Sequence, residues 1–218
     1  MPRAEWDAVG ARTFQTGIDR GMLYVGSDPG IVWNGLAKIS EAPVGGTSKE
    51  VYLDGDKIIN LVSLEEYSAT IEAFSFPKAF DPCVGILNLA PGLFACDQIR
   101  KKFGFSYRTL IGDDVRGLYG AYQIHIVYNV TAKSPEFVNE TIAEKPNVKP
   151  RTWSITTEPL YGVWPKPTSH FIINTAEYDP ADIASLEDIL YGTATTDPRM
   201  PTAAELGLLI ELEIGSGV

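Results

Sequence analysis

From Tyr122 to Val130 the apolar and polar positions alternate. Tyr122, Ile124, Ile126, Tyr128 and Val130 share one face, while Gln123, His125, Val127 and Asn129 share the other. A period of two is that of a half-buried strand, so Ala121–Val130 is predicted as one. Gly21–Val25 and Ile31–Leu36 flank Ser27-Asp28-Pro29-Gly30, where the Pro-Gly pair predicts a turn between two strands. Val51–Leu53 and Lys57–Val62 flank Asp54-Gly55-Asp56, an Asp-Gly hairpin signal. Tyr67–Phe76 reads as a strand stopped by Pro77, which has no amide to donate to a ladder. Phe105–Ile111, Thr152–Thr157 and His170–Thr175 complete the predicted strands.

Helical patterning comes late. Asp179 suits an N-cap and Pro180 the first helical position. Ile183, Leu186, Ile189 and Leu190 form one stripe, and Gly192 can end the helix. Thr202-Ala-Ala-Glu205 has the form of a capping box and predicts a second, shorter helix bearing Leu206, Leu209 and Ile210. Mostly antiparallel strands with one packed helix make a mainly β, α+β chain, arranged as a sandwich or barrel.

With 218 residues and no internal repeat, one compact unit spanning 1–218 is expected. Three segments lack the apolar content to pack alone: residues 1–12, the ten-residue connection Glu41–Glu50, and Ala132–Pro150. Pro82–Cys96, the longest uncharged stretch, contains Asn88, Pro91 and Gly92 and reads largely as loop. No run of about 18 apolar residues is present to span a membrane. The opening residues lack an apolar signal core, so secretion by a cleaved leader is not expected.

Charge narrows the function classes. Eighteen Lys and Arg face 28 Asp and Glu, a formal net charge of −10. Residues 1–109 carry 11 basic and 13 acidic groups, whereas residues 110–218 carry 7 and 15. From Glu177 onward nine acids face the single base Arg199. Such a surface is a poor wrapper of phosphate backbones. The basic run Arg100-Lys101-Lys102, followed by Phe103, Phe105 and Tyr107, faintly resembles a nucleic-acid patch; a solvated helix end or a subunit contact is the plainer reading.

Catalytic constellations are not evident. There is no Gly-x-Ser-x-Gly elbow and no Gly-x-Gly-x-x-Gly, and Val44-Gly-Gly-Thr-Ser-Lys49 orders its residues wrongly for a phosphate loop. The only histidines, His125 and His170, have no ligand-spaced histidine or cysteine partner, so no metal is expected; His125 reads as a hydrogen-bonded or surface imidazole. Asp54–Glu65 has the length of a calcium loop, but Ile58 and Ile59 occupy a ligand position and the required glycine position. Asp113-Asp114 and Glu65-Glu66 read as solvated acids. Cys83 and Cys96 read as buried free thiols. Neither an enzyme nor a cofactor is expected. Trp33, Trp153, Trp164 and the many tyrosines leave open a non-catalytic carbohydrate-binding β-sandwich.

The run Phe103 to Asp114 followed by Gly120 to Asn129, the upstream Gly17 to Tyr24, Trp33-Asn-Gly-Leu36 and Tyr52-Leu-Asp-Gly55, and the later Trp153 to Thr157, Ser169 to Ile172 and Leu186 to Gly192 form an ordered set along the chain. Together they resemble the major tail tube proteins of long-tailed, siphovirus-type bacteriophages, particularly those of actinobacterial hosts. The likeness spans roughly residues 14–210. It implies a β-sandwich or barrel with a flanking helix, six copies of which form a ring around a shared inner β-barrel. Rings would stack into a virion tail, assembled in the host cytoplasm, through which genomic DNA passes without specific binding. Tape measure, tail terminator and distal tail proteins are the partners so implied. Some relatives append an immunoglobulin-like domain, for which this chain is expected to be too short. On this reading Trp6 and Arg12 in the N-terminal arm, and Glu41, Val44, Gly45, Gly46, Lys49 and Glu50, are candidate contacts between copies. The arm 1–12 and the tail 211–218 are expected to be mobile until then.

Overall fold

The computed structural model describes residues 6–54, 56–63, 65–118, 120–133, 141, 148–162 and 164–208. Most of the segment Ala132–Pro150, the tail 211–218, Gly55 of the hairpin turn, and Leu209 and Ile210 of the second helix lie outside them.

Eight strands form one antiparallel sheet: β1 (Thr13–Val25), β2 (Ile31–Val32), β3 (Leu36–Glu41), β6 (Ser68–Ala73), β9 (Phe103–Asp113), β10 (Tyr122–Lys133), β11 (Arg151–Thr157) and β12 (His170–Asn174). Their order is β2-β1-β9-β10-β11-β6-β3, with β12 also paired to β10. The two end strands are consecutive in the chain, joined only by Trp33, Asn34 and Gly35. The sheet must therefore curl until its ends meet, which is the geometry of a barrel. Backbone bonds fix the corner between them to its two neighbours: the Trp33 amide donates to Gly21 O of β1 (2.8 Å) and the Phe74 amide, just past β6, to Gly35 O (2.8 Å). Gly35 has φ +83°, and a Cβ there would lie 2.2 Å from Ser75 Oγ, so the corner admits only glycine.

β10 divides the molecule. Gln123–Val127 pairs with β12, while Val130–Lys133 pairs with β11. The register with β9 slips between Val127 and Val130, where Asn129 takes φ +51°. This bulge turns Val130 to the face that also holds Val127, inside the barrel with Leu23, Trp33, Ile71, Phe103, Phe105, Trp153 and Ile155. Ile124, Ile126 and Tyr128 point the other way, onto Met22, Tyr24, Ile173 and the helix. The predicted alternation is present, but its second face is not solvated: His125 is only 4% exposed, and Val127 is buried too.

The helix, α1 (Pro180–Tyr191), begins as predicted, with the Ala181 amide donating to Asp179 Oδ1 at 2.8 Å. It packs on its own subunit through Ile183, Leu186 and Leu190. Three tyrosines fasten this layer: Tyr24 donates to Leu190 O (2.8 Å), Tyr122 to Glu187 Oε1 (3.0 Å) and Tyr128 to Pro201 O (2.8 Å). The Thr202–Glu205 capping box forms in both directions, opening a helix over 203–208.

Pro82–Cys96 is more ordered than a loop. A 3₁₀ helix (Lys78–Val84) carries Phe80 into the barrel, edge-on to Trp153 (5.3 Å between ring centroids) and Phe103 (5.2 Å). β7 (Leu87–Ala90) and β8 (Leu93–Ala95) then form a hairpin around Pro91-Gly92, with Gly92 at φ +82° as a proline-glycine turn requires. Arg100-Lys101-Lys102 is not a helix end; it leads directly into β9, and Lys102 pairs with Glu158 at 2.6 Å. Among the described residues no helix is long and apolar enough to cross a membrane.

Candidate functional site

Among the described residues, two hairpins stand outside the main sheet. The larger pairs β4 (Ser48–Leu53) with β5 (Asp56–Val62), as the Asp54-Gly55 signal predicted. Val51 and Ile59 are cross-strand partners and remain 39% and 47% exposed. Glu50, Tyr52 and Lys57 interact among themselves, and these hydrogen bonds from Lys57 and Tyr52 hold the Glu50 carboxyl below the usual carboxylate range. Ile58 beside them is exposed as well. The smaller hairpin, β7–β8, exposes Leu87, Leu89, Leu93 and Phe94. An isolated two-stranded hairpin is marginal in water, and clustered exposed apolar side chains mark surfaces that other proteins cover. Among the described residues, no side chain of either hairpin belongs to the buried core of the barrel. Each large side chain of its core contributes roughly 1.5–3 kcal/mol by burial.

The residues singled out as contacts between copies fall in different places. Trp6 and Arg12 lie on the segment leading into β1. Arg12 reaches Asp7 at 3.5 Å, and the Gly10 amide donates to Asp114 Oδ1 at 2.9 Å, so this arm hooks onto the turn after β9. Val44 bridges Glu66 through two backbone bonds of 2.9 and 2.7 Å, which fix the root of the larger hairpin. Gly45 and Gly46 both take positive φ, and a Cβ on Gly46 would meet Glu65 Oε1 at 2.4 Å. Lys49 and Glu50 belong to β4. The stretch from 41 to 50 is thus not one free connection; β3 and β4 take its two ends and the Val44 bridge pins its middle.

Glu41 has a separate role. At the end of β3 its carboxylate accepts from the Tyr107 hydroxyl and lies 3.6 Å from His125 Nδ1. His125 Nδ1 is also 3.1 Å from His170 Nε2, and His125 Nε2 is 3.0 Å from Thr109 Oγ1. The rings of Tyr107, His125 and His170 stack in series, and Tyr67 packs on His170 at 4.3 Å. Burial and the neighbouring His170 push the His125 pKa down to about 4; burial lowers His170 as well, although Glu41 opposes both shifts. This cluster was hidden in the sequence because the two histidines are 45 positions apart. They meet because Val127 pairs with His170 and His125 with Ile172, which sets the histidines diagonally across β10 and β12.

Other expected features are corrected. Trp33 and Trp153 are 3% and 2% exposed, and Trp164 donates to Leu160 O while packing on Phe171 at 4.7 Å, so these side chains form no sugar-stacking platform. Cys83 is buried as expected, but Cys96 is exposed.

No family model matches this chain, and no curated protein does. Among solved structures it is similar to a chain of the PVC sheath-tube complex of an extracellular contractile injection system in the extended state. The identity is 14% and the TM-score 0.32, over 72% of this chain and 89% of that one.

Proposed function

We propose that this chain is a self-assembling structural subunit of a bacteriophage-type tail tube. Six copies form a ring, and the rings stack into a conduit for DNA. The observation that carries this reading is the pair of apolar hairpins that lie outside the main sheet and lend no described side chain to its core. A free monomer gains nothing from exposing Val51, Ile58 and Ile59 on one hairpin and Leu87, Leu89, Leu93 and Phe94 on the other. Covered by neighbouring copies, the same side chains become interface. Two distinct surfaces suit such a body, because one heterologous contact can close a ring and a second can stack rings without limit. The ordered resemblance to tail tube proteins supports the same assignment. So does the net charge of −10, since a polyanion slides past a wall of like charge and is held by a basic one.

Sedimentation velocity across a concentration series, with negative-stain microscopy of the concentrated sample, tests the proposal. Rings or tubes whose population grows with concentration are expected. A species that stays monomeric at every concentration overturns it.

A further inference from the structure

We propose that Glu41, His125 and His170 form a three-ligand site for a zinc-class divalent cation, tying the end of β3 to β10 and β12. One donor atom from each residue lies within 4.8 Å of the others. Ligands bound at 2.0–2.1 Å to a tetrahedral ion stand about 3.3 Å apart. The observed separations of 3.1 Å (His125 Nδ1 to His170 Nε2) and 3.6 Å (His125 Nδ1 to Glu41 Oε1) bracket that edge. Two imidazoles with one carboxylate suit Zn²⁺ and its first-row neighbours, and three protein ligands leave a fourth position for water.

The surroundings fit an ion. With Nδ1 on the metal, the remaining proton of His125 resides on Nε2 and is donated to Thr109 Oγ1 at 3.0 Å, the outer-shell bond that fixes a ligand's tautomer. Tyr107 donates to the Glu41 carboxylate in the same way. The Tyr67 hydroxyl is buried beside that of Tyr107 without the geometry of a hydrogen bond to it, a polar atom left over in this cluster. Access exists as well. A groove of about 480 Å³ between β1 and β3 is lined by Gly17, Ile18, Lys38, Glu41, Tyr107 and Thr109, so the carboxylate side of the cluster opens outward.

The site stands whether or not the chain assembles, and its test is independent of assembly. Tag-free protein carrying Cys96→Ser, which removes the exposed thiol, is titrated with Zn²⁺ by calorimetry. One equivalent is expected to bind and to raise the melting temperature. Glu41→Gln and His170→Gln, each checked for native circular dichroism, are expected to weaken binding by about tenfold or more. Because the chain holds two histidines, their imidazole nitrogen resonances give a direct second readout, and both should shift together on zinc addition. Absence of saturable uptake, uptake unchanged in both variants, or histidine resonances that do not move would overturn the site and leave a hydrogen-bonded cluster only.

Discussion

Arg108 grips Asp19 with two parallel bonds, Nε to Oδ1 at 2.7 Å and Nη2 to Oδ2 at 2.6 Å. Asp19 sits between two register slips in β1, where Gly17 and Arg20 take positive φ, so the strand is locally irregular at the point where the fork holds it. Arg108 is 14% exposed and lies over the Tyr122 ring at 4.4 Å. A planar guanidinium supplies both bonds and the stacking at once; an ammonium supplies one point contact. Arg108→Lys is expected to destabilise the chain by about 1–2 kcal/mol, read as a lower urea midpoint at unchanged m-value. A midpoint equal to wild type would mean that the neighbouring ladder alone holds the bulge.

Charge on the larger hairpin separates folding from assembly. Val51 and Ile59 face each other across β4 and β5 while half exposed to solvent, and they contribute little to the barrel core. The double variant Val51→Lys, Ile59→Glu, which places opposite charges on cross-strand partners, is expected to change monomer stability by less than about 1 kcal/mol, as surface substitutions do. The same change should abolish higher-order species in sedimentation, because a neighbour would have to desolvate two charged groups. Starting a deletion at Glu41 would be a poorer test, since that carboxylate belongs to the Tyr107–His125–His170 cluster inside the subunit.

Much of the fold was legible wherever the signal is local. The alternation in β10, the Asp179-Pro180 helix start, the Asp-Gly hairpin and the Thr202 capping box each depend on residues a few positions apart, and each formed. What was missed depends on pairing across the chain. The slip at Asn129 splits β10 between two partners, and a period-of-two reading cannot reveal that its polar face is covered. His125 and His170 look unrelated until the β10–β12 register is known. The β7–β8 hairpin did carry its Pro91-Gly92 turn, but strands of four and three residues are too short to establish a period. Among the candidate contact residues, Val44–Gly46 lie at the root of the larger hairpin, whereas the inward role of Glu41 follows only from tertiary structure.

The two thiols should react at very different rates. Cys96 is exposed, whereas Cys83 is fully buried on the inner side of the 3₁₀ helix that carries it, and burial pushes its pKa up to about 12. Thiolate is the reactive form, so Cys83 combines poor access with a negligible thiolate fraction near neutral pH. Native protein is expected to release one equivalent of thionitrobenzoate promptly with a disulfide reagent, and the second only on unfolding in denaturant. Two fast equivalents would show that the helix opens readily.

Acid should loosen the segment after α1 through Glu205. Its carboxylate is held at about 2, first by the Arg199 hydrogen bond, and further by the backbone and hydroxyl of Thr202. The folded value lies below the ordinary glutamate value of 4.5, so the unfolded chain binds the proton more readily between the two. Stability from this group is therefore fully present above about 4.5 and is lost as the pH falls toward 2. The pair is partly exposed, with Arg199 at 51% and Glu205 at 30%, so solvent screening limits its worth to about 1 kcal/mol or less. Glu205→Gln is expected to melt below wild type at pH 6, with the gap closing steadily between pH 5 and pH 2. A gap that stays constant over that range would assign the difference to the lost capping geometry rather than to the carboxylate charge.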